Sequence, residues 1–255
     1  MKILAITQAR YGSTRLPAKI LKEVNGMTLL EIHLRRILQS RLVSKLKVAT
    51  TDEDGAKYIV DVANKLGVDS YRGSVNDVLD RFYQTAISEK PDYVVRVTSD
   101  CPLIDPSIID LVVKTCIDSD YDYVSNVLEP TYPDGMDVEV FKFQSLEKAW
   151  REATLKSDRE HVTPYIWRNS SVKGGVLFKS YNVSSSVDNS KLRITVDTPD
   201  DFEVVKSLVE NLGIERKCDE YVSFLNSHKD IVKINQQYSR NEGYEKSLRE
   251  DKNTK

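Results

Sequence analysis

The chain has 255 residues, 40% hydrophobic and 30% charged, enough for one large α/β domain or one domain with a small appendage. Its net charge of −2 argues against nucleic acid as a partner, since a phosphate backbone needs a basic face. Apolar runs reach only about 5–6 residues against the roughly 20 that span a bilayer, and no cationic stretch precedes an apolar core at the amino end, so no membrane and a cytoplasmic location are expected.

A first strand, Lys2–Thr7, runs out into Arg10-Tyr11-Gly12-Ser13-Thr14-Arg15-Leu16-Pro17-Ala18-Lys19. Gly12 lets the backbone approach a ligand, Ser13 and Thr14 donate hydrogen bonds, and Arg10, Arg15 and Lys19 neutralise charge. Such a loop can wrap a polyphosphate at the carboxyl end of a strand, where α/β sheets place their ligands. It has neither the G-x-x-x-x-G-K-S/T spacing of ATPases nor the G-x-G-x-x-G of dehydrogenases. A solvated cationic loop is the plain alternative. Amphipathic segments follow at Leu29–Gln39, Gly55–Leu66 and Val75–Ser88, alternating with strands at Leu46–Thr51 and Asp69–Arg72. Thr28 with Glu31, and Ser74 with Asp77, have capping-box spacing. The turn Arg72–Arg81 therefore serves either helix capping or recognition of a base or ribose.

Strand Tyr93–Thr98 leads into Ser99-Asp100-Cys101-Pro102-Leu103-Ile104-Asp105-Pro106 and a helix at Ser107–Asp118. Asp105 caps that helix and Pro106 opens it. Asp100 has no such duty. It reads as a Mg²⁺ ligand or as a carboxylate bonded to loop amides. Tyr121–Ser125 closes this half. The βαβα alternation predicts an α/β fold with a mostly parallel sheet and helices on both faces.

Leu128–Asp134 is a candidate hinge. In Met136–Phe143, alternation places Asp137 and Glu139 on one face, opposite Val138 and Val140. These carboxylates bind an acceptor, serve as a base, or simply line the solvated face of an edge strand. Helices are predicted at Gln144–Ala153 and Arg159–Trp167, where Arg159 and His161 are candidates to grip an anion, a structural histidine being the alternative. Val172–Ser186 reads as a hairpin or mobile loop. Strand Leu192–Val196 feeds a helix at Asp200–Leu212, with Thr198 as cap, Pro199 first and Asp201 completing a box. Asp197, like Asp100, is left without a local role. Two such aspartates at two strand ends either share a metal on a triphosphate or are unrelated. Cys218–Asn226 is a short helix. The polar tail from Ser239 is disordered or an arm onto a partner. Residues 1–238 thus form one domain, with an insertion near 127–190, and 239–255 a tail. Cys101, Cys116 and Cys218 fit neither a disulfide framework nor a zinc site, and His33, His161 and His228 lack metal-ligand spacing.

The runs QARYGSTRLPAK, VATT, RGSVNDVLDRFYQ, VVRVTSDCPLIDP, YDYVSN, DGMDVEVF, REHVTPYI and LRITVDTPDD, in order over about residues 1–212, resemble the sugar-acid cytidylyltransferases. That group includes the CMP-Kdo and CMP-sialate synthetases. The likeness is greatest to the branch called spore-coat polysaccharide biosynthesis protein F. One departure is Ala18, where the family loop reads L-P-G-K; whether it matters depends on the sign of φ there. The resemblance implies a Rossmann-like nucleotidyltransferase fold. It implies that Arg10, Gly12, Ser13, Arg15 and Lys19 bind the triphosphate of CTP, with Arg72 and Asp77 near the cytosine. It implies catalytic roles for Arg15, Lys19, Asp100 and Asp197, the last two holding Mg²⁺. Asp137, Glu139, Arg159 and His161 would line the acceptor side. The implied reaction moves CMP from CTP to an acidic sugar or small phosphorylated acid, releasing pyrophosphate, for a surface glycan. A homodimer is expected, through the tail or the strand near Met136–Phe143. Two alternatives stand beside it: a glycosyltransferase using the D-x-D of Asp120-Tyr121-Asp122, and a non-catalytic nucleotide-binding subunit.

Overall fold

The computed structural model describes residues 1–13 and 15–253; Thr14 of the cationic loop lies outside the described residues. Strand β1 (Ile3–Gln8) leads through a hairpin, β2 (Glu23–Val24) and β3 (Met27–Thr28), into α1 (Leu29–Ile37). Then come β4 (Lys45–Thr51), α2 (Ala56–Lys65), β5 (Asp69–Gly73), α3 (Val78–Ile87), β6 (Tyr93–Thr98), α4 (Pro106–Asp118) and β7 (Tyr123–Ser125). The second half holds β8 (Glu139–Lys142), α5 (Phe143–Glu152), α6 (Lys156–His161), α7 (Pro164–Arg168), β9 (Ser180–Asn182), α8 (Pro199–Leu212), α9 (Cys218–Ser227), α10 (Lys229–Asn235) and α11 (Glu242–Asn253).

Seven strands form one sheet in the order β5-β4-β1-β6-β8-β7-β9. Every pairing is parallel except those of β8, which runs antiparallel to both β6 and β7. β1 is apolar from Ile3 to Ile6 because both of its faces are covered there. Ile3 and Ala5 join α1, α2, α4, α8 and α9 in one core layer. Leu4 and Ile6 join α3, α5 and α7 in the other.

Local signals start the helices. The Thr28 hydroxyl accepts from Glu31 N at 3.1 Å, Asp105 accepts from Ser107 N at 2.8 Å, and Thr198 and Asp201 form the reciprocal box. α3 starts later than expected: its cap is Asp77, which accepts from Asp80 N at 2.8 Å, while Ser74 only closes a turn onto Asn76 N.

Five expectations are corrected. Met136–Phe143 is not an edge strand; β8 lies between β6 and β7 and so offers no free edge to a second subunit. Residues 192–196 are not a strand: Arg193 makes one isolated bridge to Asp134, and Val196 N donates to Asp100 O at 2.7 Å. The helix predicted over 159–167 breaks at Val162 (φ 73°), and Pro164 opens a separate helix, α7. As far as Asn253 the tail is neither disordered nor free, since α11 packs on α6 of its own chain. The segment around 172–186 holds β9, parallel to β7, rather than a hairpin. No helix of the described residues is long and apolar enough to cross a membrane.

Candidate active site at the carboxyl ends of β1 and β6

β1 and β6 pair in register, Gln8 opposite Thr98, so the loops that leave them start side by side. The cationic loop is pinned by buried Leu16 and Ile20. It is pinned again by the Tyr11 ring, which lies so close to Gly55 that a Cβ there would meet it at 2.2 Å. Between those anchors Ala18 adopts the left-handed conformation (φ 51°, ψ 30°), and Lys19 opens a 3₁₀ turn.

Lys19 reaches inward. Its Nζ donates to Asp197 Oδ1 at 2.7 Å and to Val196 O at 2.8 Å, and lies 3.5 Å from Asp100 Oδ2. Burial alone would lower its pKa, but Asp100 and Asp197 outweigh burial and raise it, so the ammonium is fixed. Burial likewise pushes Asp100 upward, and the Lys19 charge and the Thr98 hydroxyl overcome it, holding Asp100 down to about 2. Arg15 sits on the far side of Asp197, its Nη2 3.0 Å from Oδ2, while its Nη1 is 3.2 Å from Glu242. The sequence argument for Arg15, Lys19, Asp100 and Asp197 therefore ends in one cluster.

Arg193 braces that cluster, a position that sequence reasoning passed over. It bonds Asp134 at 2.6 Å and Asp201 at 2.8 and 3.0 Å, and touches Asp197 at 3.5 Å. The loop bearing Asp134 docks against it through Gly135 (φ 111°), where a Cβ would stand 2.6 Å from Thr195 N. Burial and neighbouring Asp137 raise Asp134 to about 7, against Arg240 and Arg193. Below, His33 is fully buried; its Nδ1 lies 2.8 Å from Cys101 O and its Nε2 2.8 Å from Thr7 Oγ1. The carbonyl can only accept, so Nδ1 carries the proton and the hydroxyl donates to Nε2. This fixes the turn that holds Asp100.

The remaining candidates are mostly engaged. Glu139 is buried, not solvated. It accepts from Tyr123 Oη and Thr163 Oγ1, each at 2.6 Å, and pairs with Arg96. With three donors it has little left for base chemistry. Arg72 spends its donors on the carbonyls of Thr51, Asp52 and Glu53. Arg159 forks onto Asp77 at 2.9 and 2.6 Å, so neither offers itself free to a ligand. His161 shares a 3.0 Å hydrogen bond with Ser247, and burial lowers its pKa. Asp137 meets Arg240 at 2.6 Å. Arg10 is exposed and close enough to Arg81 to help burial lower that guanidinium to about 10; Gly12 faces the Glu53 carboxylate, and Ser13 is half-buried.

The family model described as cytidylyltransferase matches residues 4–241. The chain belongs to the cytidylyltransferase family. It is 34% identical over 240 residues to the spore coat polysaccharide biosynthesis protein SpsF of Bacillus subtilis, covering 90% of this chain and 96% of that protein. It is 34% identical over 116 residues to the 3-deoxy-manno-octulosonate cytidylyltransferase of Trichlorobacter lovleyi, 45% of this chain and 44% of that one. A solved cytidylyltransferase structure from Leptospira borgpetersenii matches with a TM-score of 0.85 at 34% identity, covering 94% and 98% of the two chains. The resemblance in the sequence motifs is thereby borne out, and with it an enzyme rather than a bare nucleotide-binding subunit.

In this cytidylyltransferase the D-x-D alternative has no site. Asp120 and Asp122 both pair with Lys142 at the amino end of β7, across the sheet from Asp100. No group of three or more His, Cys, Asp or Glu among the described residues could hold a metal alone. Asp100 and Asp197 nonetheless fit Mg²⁺, which takes one or two carboxylates plus phosphate oxygens. Their shared contact with the Lys19 ammonium marks a place between them where positive charge is favoured.

Proposed function

We propose that this cytidylyltransferase transfers CMP from CTP to an acidic acceptor and releases pyrophosphate. The observation that carries the reading is Lys19 held between Asp100 and Asp197 beneath the Arg15 loop. Arg10, Ser13 and Arg15 take the triphosphate, and Lys19 stabilises the charge that develops on the leaving pyrophosphate. Asp100 and Asp197 hold Mg²⁺, which when bound neutralises phosphate charge. An acceptor oxygen forms its bond to the α-phosphorus as the bond to the bridging oxygen of pyrophosphate breaks. Where the acceptor is a hydroxyl, its proton goes to Asp137, because Glu139 is already saturated with donors. A phosphate acceptor needs no such base. An acidic sugar is favoured by the relative named for 3-deoxy-manno-octulosonate, and surface polysaccharide by the SpsF relative.

Calorimetric titration with CTP, UTP, ATP and GTP, with and without Mg²⁺, tests this without knowing the acceptor. Mg²⁺-dependent binding that favours CTP is expected. Binding of another nucleotide instead would move the reaction to a different donor, and absence of all nucleoside triphosphate binding would refute the reading.

A further inference from the structure

The family match ends at residue 241, and α11 begins at Glu242. This last helix is an addition beyond the matched region, yet it is fastened to three parts of the site. Arg240 anchors the approach, donating to Asp137 Oδ1 at 2.6 Å and to the carbonyls of Tyr132 and Pro133 at 3.4 and 3.3 Å. Glu242 then takes one arm of Arg15 at 3.2 Å. Farther along, Ser247 bonds His161 and Glu160 at 3.0 and 2.8 Å, and the Tyr244 ring stands edge-on to His161 at 5.2 Å. Lys156 pairs with Glu250 at 2.6 Å, and Ser157 N donates to Asp251 at 3.2 Å.

We propose that this C-terminal segment is a latch across the site, released by nucleotide because Glu242 and the triphosphate compete for Arg15. The inference rests on the proposed role of Arg15. Both terminal nitrogens of that guanidinium are occupied by carboxylates, Asp197 and Glu242. A triphosphate needs the same planar fork. Of its two partners Glu242 yields more easily: it is 42% exposed against 23% for Asp197, and Asp197 is also held by Lys19. The rest of α11 is held by polar and aromatic contacts rather than by an apolar core: among its described side chains only Ser247 is buried, Tyr244 stands edge-on to His161 and Trp167, and the Lys156–Glu250 pair is exposed and weak in water. Such an element belongs to the low-stability end of a fold, where local opening is easy. Opening would uncover α6 and Asp137 together, so the acceptor side becomes accessible after CTP has bound.

Hydrogen exchange of residues 242–253 and calorimetric CTP affinity, on the full chain in Mg²⁺ buffer, test the latch. Glu242→Gln keeps an oxygen to accept from Ser239 N, which Glu242 now does at 3.1 Å, while removing the charge on Arg15. The expected result is CTP binding about two- to fivefold tighter than wild type, the size of an exposed ion pair. Exchange in 242–253 should be faster in Glu242→Gln without nucleotide, and faster in wild type once CTP is added. Lys156→Gln, which loosens the far end of α11 without touching Arg15, should also tighten CTP. If wild type binds CTP but Glu242→Gln does not tighten it, or if CTP slows exchange across α11, the latch is wrong and the cytidylyltransferase reading stands. If neither protein binds CTP, the latch falls with the reading it rests on.

Discussion

Ala18→Gly should stabilise this enzyme. Ala18 sits at φ 51° and ψ 30°, its carbonyl accepts from Leu21 N at 2.9 Å, and Lys19 follows directly. A left-handed conformation costs an L-residue about 1–2 kcal/mol. Glycine removes that cost but gives the unfolded chain more freedom, worth about 0.4–1 kcal/mol in the opposite direction. The net is about 0.5–1 kcal/mol in favour of glycine. For a chain of this size that raises Tm by roughly 1–4 °C. Differential scanning calorimetry on Ala18→Gly reads it, with Ala18→Val as the opposite control, since a β-branched residue is a genuine outlier at positive φ. Because the loop already holds the conformation glycine prefers, CTP affinity should stay within about twofold of wild type. A fall in Tm for Ala18→Gly, or a rise for Ala18→Val, would refute the assigned strain.

Asp100→Asn should abolish the Mg²⁺ dependence of CTP binding while leaving Tm within a few degrees; a normal metal response would sink the assignment of that carboxylate. Burial raises all three thiols, Cys116 and Cys218 to about 12 and Cys101 well above the ordinary range. Native protein should thus react with Ellman's reagent at pH 8 about three orders of magnitude more slowly than a free thiol, and rapid labelling of any one cysteine before urea is added would contradict this. Burial drives His33 down to about 4. Above the unfolded value of about 6.5 both states are neutral; as pH falls from there towards 4 the unfolded chain takes a proton that the fold refuses, so stability drops by about 1.4 kcal/mol per unit, roughly 3 kcal/mol in all. Urea melts at pH 7 and pH 5 should show that slope in wild type and a flatter one in His33→Asn; equal slopes would remove His33 as the cause.

The parallel half of the sheet was legible because β1 opens as a buried apolar run and because strand and helical patterns alternate along it, with Thr28, Asp105 and Thr198 announcing their helices. The four residues of the central cluster were legible for a negative reason: Asp100 and Asp197 had no capping duty, and Arg15 and Lys19 stood together in a loop. β8 misled because alternation looks the same on an edge strand as on an interior strand whose polar face is buried by pairing. Glu139 is such a residue, and nothing near it in sequence names Arg96, Tyr123 or Thr163 as its partners. Asp77 and Arg159, 82 positions apart, each looked available until folding spent them on one another. The tail misled for a compositional reason. Its polarity matches disorder, whereas α11 is held by ion pairs, hydrogen bonds and the edge-on contacts of Tyr244 with His161 and Trp167 rather than by an apolar stripe.

Under the proposed function, the site's charges give a reason for Mg²⁺ and nucleotide to bind together. Asp100, Asp134, Asp137, Asp197, Asp201 and Glu242 are joined through Arg15, Lys19, Arg193 and Arg240 into one network of six carboxylates and four cations. Two of the cations that the proposed function offers to the triphosphate, Arg15 and Lys19, already serve carboxylates. Turning Lys19 and Arg15 towards phosphate would strip Asp100 and Asp197 of their partners inside a half-buried cleft, where an unpaired charge is costly. In the proposed reading two changes would offset that cost without moving the fold: Mg²⁺ held by the aspartates would replace the positive charge they lose, and departure of Glu242 would remove one carboxylate from the competition for Arg15. A neutral amide at position 100 would relieve the first requirement, which is why Asp100→Asn is expected to uncouple CTP binding from Mg²⁺ rather than merely weaken it.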